Sequence, residues 1–170
     1  ATLSAFGRLA IAVANAGIVK TADVLDLTEA DFDAVLRVNL KGAFLVAQAA
    51  AKQMVAQKSG GSIIAMSSVN AVLAIPNILP YVVSKGGINQ MIKAMSISLA
   101  PKGIRVNGIG PGSIATEVFA KVATDKAAMN RILSRTPMGR VGEAHEIGRI
   151  AVFLASDDSS YVTGTTIYAD

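Results

Sequence analysis

Two neighbouring motifs decide the fold: an apolar run that ends in two serines, Ser62-Ile63-Ile64-Ala65-Met66-Ser67-Ser68, and a segment that begins Tyr81-Val82-Val83-Ser84-Lys85. The apolar run predicts a buried strand, because strands of a parallel sheet covered on both faces are continuously apolar. The later segment keeps apolar residues at helical spacing until Pro101-Lys102-Gly103, so it predicts a helix from about residue 81 to 100. A strand followed by a helix is the repeating unit of α/β proteins.

The same alternation continues along the rest of the chain. Apolar runs predict strands over 9–13, 63–66, 104–109 and 165–169. Further helices are predicted at the end of 1–7, from the capping sequence Thr28-Glu29-Ala30-Asp31 to about 57, and over 117–122, 126–133 and 143–155. We therefore expect one domain over residues 1–170, built as a doubly wound parallel sheet.

Composition restricts the possible functions. Of the 170 residues, 52% are apolar and 16% charged, which is enough to bury a sizeable core. Cysteine is absent, so disulfides and thiolate metal sites are excluded, and we expect a cytoplasmic protein. No unbroken apolar run reaches the ~18 residues of a membrane span. No His, Asp and Glu cluster has metal-ligand spacing, so no metal site is predicted.

The net charge of +4 is unevenly distributed, because no acidic residue lies between Asp33 and Glu117. This pattern fits a positive field over an anionic ligand such as a dinucleotide. The alternative is that the lysines of this segment are solvated and surround a buried or subunit-contacting surface. We favour this second interpretation of the charge distribution. Nucleic-acid binding is not predicted, because the basic residues are scattered and not interleaved with aromatic ones.

Tyr81 and Lys85 form the strongest chemical candidate. On a helix they are i,i+4 neighbours, about 5–6 Å apart at their Cβ atoms. A phenol ionises near pH ~10, and a nearby ammonium lowers that pKa by roughly 1–3 units, towards the range useful for acid/base catalysis. With Ser68 at the facing strand end, the set suits interconversion of a carbonyl and an alcohol. The alternative is an ordinary half-buried helix pair with the lysine in water.

Other polar residues follow the predicted strands. Asn15, Ser68 and the Pro111-Gly112 turn all come after carboxyl ends, where ligands bind in open α/β sheets. Asn39 lies inside an apolar helix and should hold a backbone group or a water, because a buried amide without partners costs about 1–3 kcal/mol. Ser67, Ser84 and Asn107 are expected to satisfy backbone groups, and His145 to lie on the surface. No histidine accompanies Ser68, so hydrolase chemistry is not predicted.

These motifs together resemble the short-chain dehydrogenase/reductase family over essentially the whole chain. The resemblance is carried by Ala14-Asn15-Ala16-Gly17, by Asn39 between Val38 and Leu40, by Ser68 before Tyr81-x-x-x-Lys85, by Ile104-Arg105-Val106-Asn107 leading to Pro111-Gly112, and by residues 164–170. Residues 137–140 and 160–164 resemble the sugar dehydrogenase and 3-oxoacyl-carrier-protein reductase branches without choosing between them. Membership implies a Rossmann-like sheet with helices on both faces and an oxidoreductase that uses NAD or NADP on a small alcohol or ketone.

The resemblance also implies roles for individual residues. Tyr81 would exchange a proton with the substrate oxygen, Ser68 would hold that oxygen, and Lys85 would lower the tyrosine pKa and bind the nicotinamide ribose. Asn39 would support Lys85 through a water. Tyr81 would contact the cofactor as well, and the remaining cofactor contacts would be Asn15, Ala16, Gly17, Pro111, Gly112, Ile114 and Thr116. Residues 115–133 would form a substrate lid, and the long helices carrying Asn39 and Tyr81 would build a homotetramer.

One departure from the family concerns its amino-terminal βαβαβ unit, which carries a glycine-rich phosphate turn. Nothing before Asn15 can be that unit, and without it residues 9–13 would be an exposed apolar edge strand. We therefore expect residues 1–170 to be the carboxyl-terminal two-thirds of a dinucleotide-binding oxidoreductase fold within a longer protein. The alternative is a non-catalytic structural or binding relative, or an inactive truncated fragment.

Overall fold

A computed structural model describes residues 2–116, 119 and 124–170. The predicted helix over 117–122 falls largely outside these residues. The described strands are β1 (Ile11–Ala14), β2 (Gly61–Met66), β3 (Ile104–Pro111), β4 (Ile114–Ala115), β5 (Gly142–Glu143) and β6 (Thr166–Ala169). The described helices are α1 (Thr2–Phe6), α2 (Glu29–Leu36), α3 (Gly42–Gln57), α4 (Leu79–Leu99), α5 (Lys126–Leu133) and α6 (Ala144–Ala155).

The main sheet has the order β1-β2-β3-β6, and every neighbouring pair is parallel. Ala14 pairs with Ala65, Met66 with Ile109, and Pro111 with Ala169. The carboxyl ends of all four strands therefore meet at one edge of the sheet. This confirms the predicted parallel architecture and the predicted meeting of the strand-end residues.

Helices cover both faces of the sheet, because adjacent residues of a strand point to opposite faces. Ile63 is fully buried in a cluster with residues of α3 and α4, whereas its neighbour Ile64 packs with Ile109 and with Leu154 of α6. Ser62 ties α6 to the sheet by donating from its hydroxyl to the carbonyl of Leu154, at 2.7 Å. The doubly wound arrangement is therefore confirmed.

β1 is an edge strand with exposed apolar side chains. Ile11 is 44% exposed and Val13 46% exposed, while Ala14 is buried. The expectation of an exposed apolar edge at residues 9–13 is therefore confirmed for this part of the chain.

The helical stretch Glu29–Gln57 contains a feature that the apolar spacing does not reveal. Thr28 caps it as predicted, its hydroxyl accepting a hydrogen bond from the Asp31 backbone N–H at 3.1 Å. Between α2 and α3, however, Arg37–Lys41 forms a π-helical turn. The prediction of one continuous α-helix to residue 57 is therefore corrected at this turn, where Asn39 lies.

The same stretch is the one described helix long and apolar enough to cross a membrane, judged by length and composition alone. The earlier criterion of unbroken apolar runs misses it, because polar residues interrupt the apolar ones. In this fold its inner side packs in the core through Ala43, Ala47, Ala50 and Met54.

A second, small sheet is not predicted from the sequence. In it β4 and β5 pair in parallel, beside the carboxyl edge of the main sheet.

Candidate active site

A cavity of about 920 Å³ lies at the carboxyl edge of the sheet. Strand ends contribute Asn15, Met66, Ser67, Ser68, Pro111 and Asp170 to its lining, and α4 contributes Tyr81 and Lys85. The sequence prediction that these groups meet at one edge is confirmed by this common lining.

Tyr81 and Lys85 lie on one side of the first turns of α4. The Lys85 Nζ is 5.5 Å from the centroid of the Tyr81 ring, and Pro80 before them occupies the helix start, where its missing N–H costs nothing. Lys85 is only 4% exposed, and its ammonium donates to the carbonyl oxygen of Met66 on β2 at 2.6 Å. That bond fixes the first turns of α4 against the end of the central strand.

The expected lowering of the Tyr81 pKa is wrong for this structure. Burial raises the pKa of Tyr81 above its ordinary value of 10.0, and a hydrogen bond with the Ser68 side chain lowers it by less. Burial also lowers the pKa of Lys85 from 10.5 to about 8. The spacing of the two side chains along the helix predicts their proximity but not their burial, which sets the direction of both pKa shifts.

Ser68 joins the end of β2 to this pair. It is 5% exposed, and its hydroxyl accepts from the Asn70 backbone N–H at 3.1 Å, which caps the short 3₁₀ turn Val69–Ala71. Its hydrogen bond with Tyr81 brings the two hydroxyls together. The structure thus places Ser68, Tyr81 and Lys85 around one point of the cavity.

Asn39 is fully buried, and its side-chain amide makes three hydrogen bonds to other protein groups. Its Oδ1 accepts from the Ile18 backbone N–H at 2.8 Å, and its Nδ2 donates to the Ile18 carbonyl at 3.0 Å and to the Ser84 hydroxyl at 3.1 Å. The prediction that this amide holds a backbone group is confirmed. Gly17, beside Ile18, lies close to both Asn39 and Lys85, since a Cβ there would be 3.5 Å from Asn39 Oδ1 and 3.9 Å from Lys85 Nζ.

Three residues expected to be structural are confirmed as such. Ser84 donates to the Tyr81 carbonyl at 2.7 Å, and Asn107 donates to the Val162 carbonyl at 2.8 Å and accepts from the Thr165 N–H. Ser67 donates to the Asn89 side chain at 2.7 Å, with the Lys85 carbonyl at 3.5 Å. His145 is exposed in the first turn of α6, also as predicted.

Asn89 is a polar residue of the site region that the sequence argument missed. Its Oδ1 accepts from the hydroxyls of Ser67 at 2.7 Å and Thr166 at 3.1 Å, and its Nδ2 donates to the Tyr168 hydroxyl at 2.8 Å. It therefore ties α4 to β2 and β6. The signal was present in the sequence, because Tyr81, Lys85 and Asn89 follow each other at i,i+4 spacing on one helix face.

The predicted cofactor contacts divide into two groups. Asn15, Gly17, Pro111, Gly112, Ile114 and Thr116 line the cavity, whereas Ala16 is not among its lining residues. A Cβ on Gly112 would overlap the Asp170 carboxylate, so a larger residue there would require that side chain to move. Of the predicted lid, Ile132 and Phe119 line the cavity, while residues 117, 118 and 120–123 lie outside the described part of the chain.

The donors around the cavity fit one end of a dinucleotide. An ammonium has three N–H donors, and Lys85 uses one of them on Met66, so the others can face a ribose diol beside the Tyr81 hydroxyl. Within the described residues, no three His, Cys, Asp or Glu side chains are grouped as a metal site would require.

Comparison with known proteins agrees with this geometry. Residues 1–170 match the family described as enoyl-(acyl carrier protein) reductase. The 3-oxoacyl-[acyl-carrier-protein] reductase of Thermotoga maritima is 42% identical over 165 residues, which cover 97% of this chain and 66% of that protein. The chain thus spans just under two thirds of the length of this curated relative.

Two solved structures are similar throughout. A short-chain type dehydrogenase/reductase from Mycobacterium marinum has a TM-score of 0.94 at 38% identity, covering 99% of this chain and 66% of that one. A gluconate 5-dehydrogenase from Burkholderia cenocepacia, in complex with NADP and tartrate, has a TM-score of 0.95 at 39% identity with the same coverages. Fold, motifs and site geometry therefore converge with these matches: the chain belongs to the short-chain dehydrogenase/reductase family.

Proposed function

We propose that this protein is an NAD(P)-dependent oxidoreductase that interconverts an alcohol and a ketone or aldehyde, with Tyr81 as its acid/base. The observation that carries the proposal is the convergence of the Ser68 and Tyr81 hydroxyls and the Lys85 ammonium on one cavity at the carboxyl edge. The dehydrogenases and reductases that resemble the chain support it, including one solved with NADP.

The lining residues suggest how the cofactor would be held. Lys85, Asn15 and the backbone over Pro111–Thr116 would bind its nicotinamide end, and the nicotinamide ring supplies hydride chemistry when it is bound. Lys85 is fixed by the Met66 carbonyl, and the Asn15 segment by the contacts of Asn39 with Ile18. Both contacts keep the groups in place before any ligand arrives, which lowers the entropy lost on binding.

Ser68 and Tyr81 would handle the substrate oxygen. In the reducing direction the Tyr81 O–H donates its proton to that oxygen as the carbonyl becomes an alcohol, and the phenolate remains. In the oxidising direction a Tyr81 phenolate accepts the alcohol proton. Burial raises the pKa of Tyr81, so the acid form dominates at neutral pH and the oxidising direction gains from alkaline pH.

Titration with NADH and NADPH tests the proposal first. We expect saturable enhancement of nicotinamide fluorescence, followed by turnover of at least one member of a panel of alcohols and ketones. Oxidation rates should rise with pH while reduction rates fall. Absence of binding to both cofactors would contradict the proposal and favour a non-catalytic structural or binding relative, or an inactive fragment.

We also propose that α3 and α4 build a homotetramer. Their outer sides form an apolar groove that includes Phe44, Val55, Met95 and Leu99, and Phe44 and Val55 are each 40% exposed. Light scattering of the purified protein should give four chains per particle, and Phe44→Lys should reduce that number. An unchanged particle mass for the variant would contradict this assignment of the interface.

A further inference from the structure

We propose that the substrate carbonyl of this protein is flanked by an apolar alkyl or cycloalkyl group rather than by the hydroxylated carbons of a sugar. The inference rests on the proposed function, because it takes Ser68 and Tyr81 as the groups that hold the substrate oxygen. It concerns the cavity wall next to that oxygen.

The wall is built by the connector between the two oxygen-binding residues, residues 69–80. Ser68 precedes this connector and Tyr81 follows it, and residues of the connector line the same cavity as those two side chains. Five of its residues line the cavity, four of them apolar: Val69, Leu73, Ala74 and Ile75, with Asn70 as the polar one.

The connector is held in a defined shape. Ser68 caps its first turn, the Leu73 N–H donates to the Val69 carbonyl at 2.9 Å, and the Asn77 carbonyl accepts from the Ala22 N–H at 3.0 Å. Leu73 nevertheless remains 58% exposed while lining the cavity. A fixed, exposed leucine at a cavity wall is a surface that an apolar ligand group would cover.

The rest of the lining divides by chemistry. Ile132 of α5 and Ile147 of α6 add apolar surface from other elements. Asn15, Ser113, Thr116 and Asp170 come from the strand ends and the turn after β3, the part that the proposed function gives to the cofactor. Arg135 and Thr136 follow α5, and the Arg135 Nε already donates to the Arg131 carbonyl at 3.1 Å.

On the side of the cavity formed by the connector, the hydroxyl groups of a sugar ring would therefore find few side chains to hydrogen-bond with. An apolar site disfavours a substrate with one unmatched hydroxyl by roughly a hundredfold at most, and several such hydroxyls add to that penalty. Cyclohexanol and myo-inositol form a matched pair, since both are six-carbon rings and differ only in their hydroxyls. We expect kcat/KM with NAD(P)⁺ to be at least about a hundredfold higher for cyclohexanol.

Two variants test whether the preference for cyclohexanol comes from the cavity wall formed by residues 69–80. Leu73→Asn places an amide of similar size on the cavity, and Val72→Asn places one on the neighbouring residue, which is 63% exposed and is not among the lining residues. We expect Leu73→Asn to lower kcat/KM for cyclohexanol by roughly tenfold. Val72→Asn should leave it unchanged, and neither variant should alter NADPH affinity.

Saturation-transfer NMR of the two ring compounds gives a readout that does not depend on turnover. Cyclohexanol should receive saturation from the parent protein and from Val72→Asn, and less from Leu73→Asn. If NADPH does not bind but this pattern is seen, the proposed function fails while the wall is still shown to bind an apolar ring. Equal signals from cyclohexanol and myo-inositol, equal effects of the two variants, or preferred oxidation of myo-inositol would overturn the inference.

Discussion

On one side of α4 several polar residues are buried, and on the other side several apolar residues are exposed. On the buried side, Ser84 is 0% exposed, Lys85 4% and Asn89 9%. On the outer side, Val83 is 41% exposed and Ile97 77%. In most surface helices the polar residues face water and the apolar ones face the core.

The difference separates the side of the helix that lines the cavity from the side that we propose as an assembly surface. Of the four buried polar residues of α4, three are hydrogen-bonded to another element, namely Ser84 to Asn39, Lys85 to Met66, and Asn89 to Ser67 and Tyr168, whereas Ser96 donates to Lys93 of the same helix. These bonds offset the cost of burial and fix the position of Tyr81. The exposed apolar residues have no comparable role in the fold of one chain, which is why we assign that surface to an assembly.

Removing the Tyr81 hydroxyl should have the largest effect. We expect Tyr81→Phe to lower turnover by about 10²–10⁴-fold, the usual contribution of a positioned acid/base, while NADPH affinity stays the same. Steady-state rates and a fluorescence titration measure the two quantities. Tyr161→Phe is the matched control, because that tyrosine lies fully on the surface. Equal rates for Tyr81→Phe and the parent would remove the acid/base role.

Removing a buried amide should destabilise the fold next most strongly. Asn39→Leu keeps the approximate size of the side chain but leaves the Ile18 backbone groups and the Ser84 hydroxyl without their partner. We expect a loss of about 2 kcal/mol in the free energy of unfolding, measured with urea. The exposed Asn130→Leu should change it by less than about 0.5 kcal/mol. A similar small change for Asn39→Leu would show that the buried amide does not hold the site.

The ammonium of Lys85 should make stability depend on pH. Burial lowers the pKa of Lys85 from 10.5 to about 8, so between these pH values the unfolded chain keeps a proton that the native chain has lost. Stability contributed by this group therefore rises with pH across that window. We expect the unfolding free energy of the parent, minus that of Lys85→Met, to rise by about 1–3 kcal/mol from pH 8 to pH 10.5.

Urea unfolding of both proteins across that pH range measures the difference. Lys102→Met, on the exposed turn after α4, serves as the control for removing one positive charge. A parent-minus-variant difference that stays flat or falls with pH would contradict the burial of a charged Lys85.

The smallest effect is expected on the outer side of the same helix. Ile97→Gln replaces an apolar side chain that is 77% exposed, so the unfolding free energy should change by less than about 0.5 kcal/mol. Thermal unfolding at a protein concentration low enough to separate the subunits provides the measurement. A loss comparable to that of Asn39→Leu would mean that the two sides of α4 do not differ as described.

Much of this arrangement could be predicted, because it depends on local patterns. Helical spacing identified α4 and put Lys85 beside Tyr81, and strand ends identified Ser68 and Asn15 as neighbours. The direction of the Tyr81 pKa could not be predicted, since it is set by burial, which outweighs the hydrogen bond with the Ser68 side chain. The contacts of Asn89 with Thr166 and Tyr168 could not be predicted either, since they are distant in sequence. The two-residue strands β4 and β5 are too short to leave a pattern.

The π-helical turn Arg37–Lys41 and the helix α3 that follows it respond differently to a change of length. A π turn closes its hydrogen bonds over one more residue than an α-helical turn, so loss of one residue there would leave a continuous α-helix with α3 in place. Successive residues of an α-helix are about 100° apart around the axis, so a deletion early in α3 would instead rotate the rest of that helix. Ala47, Ala50 and Met54 would leave the sheet, and exposed residues such as Leu45 would turn towards it. During divergence we therefore expect loss of a single residue to be tolerated at Arg37 or Lys41, but single-residue insertions and deletions to be eliminated within α3.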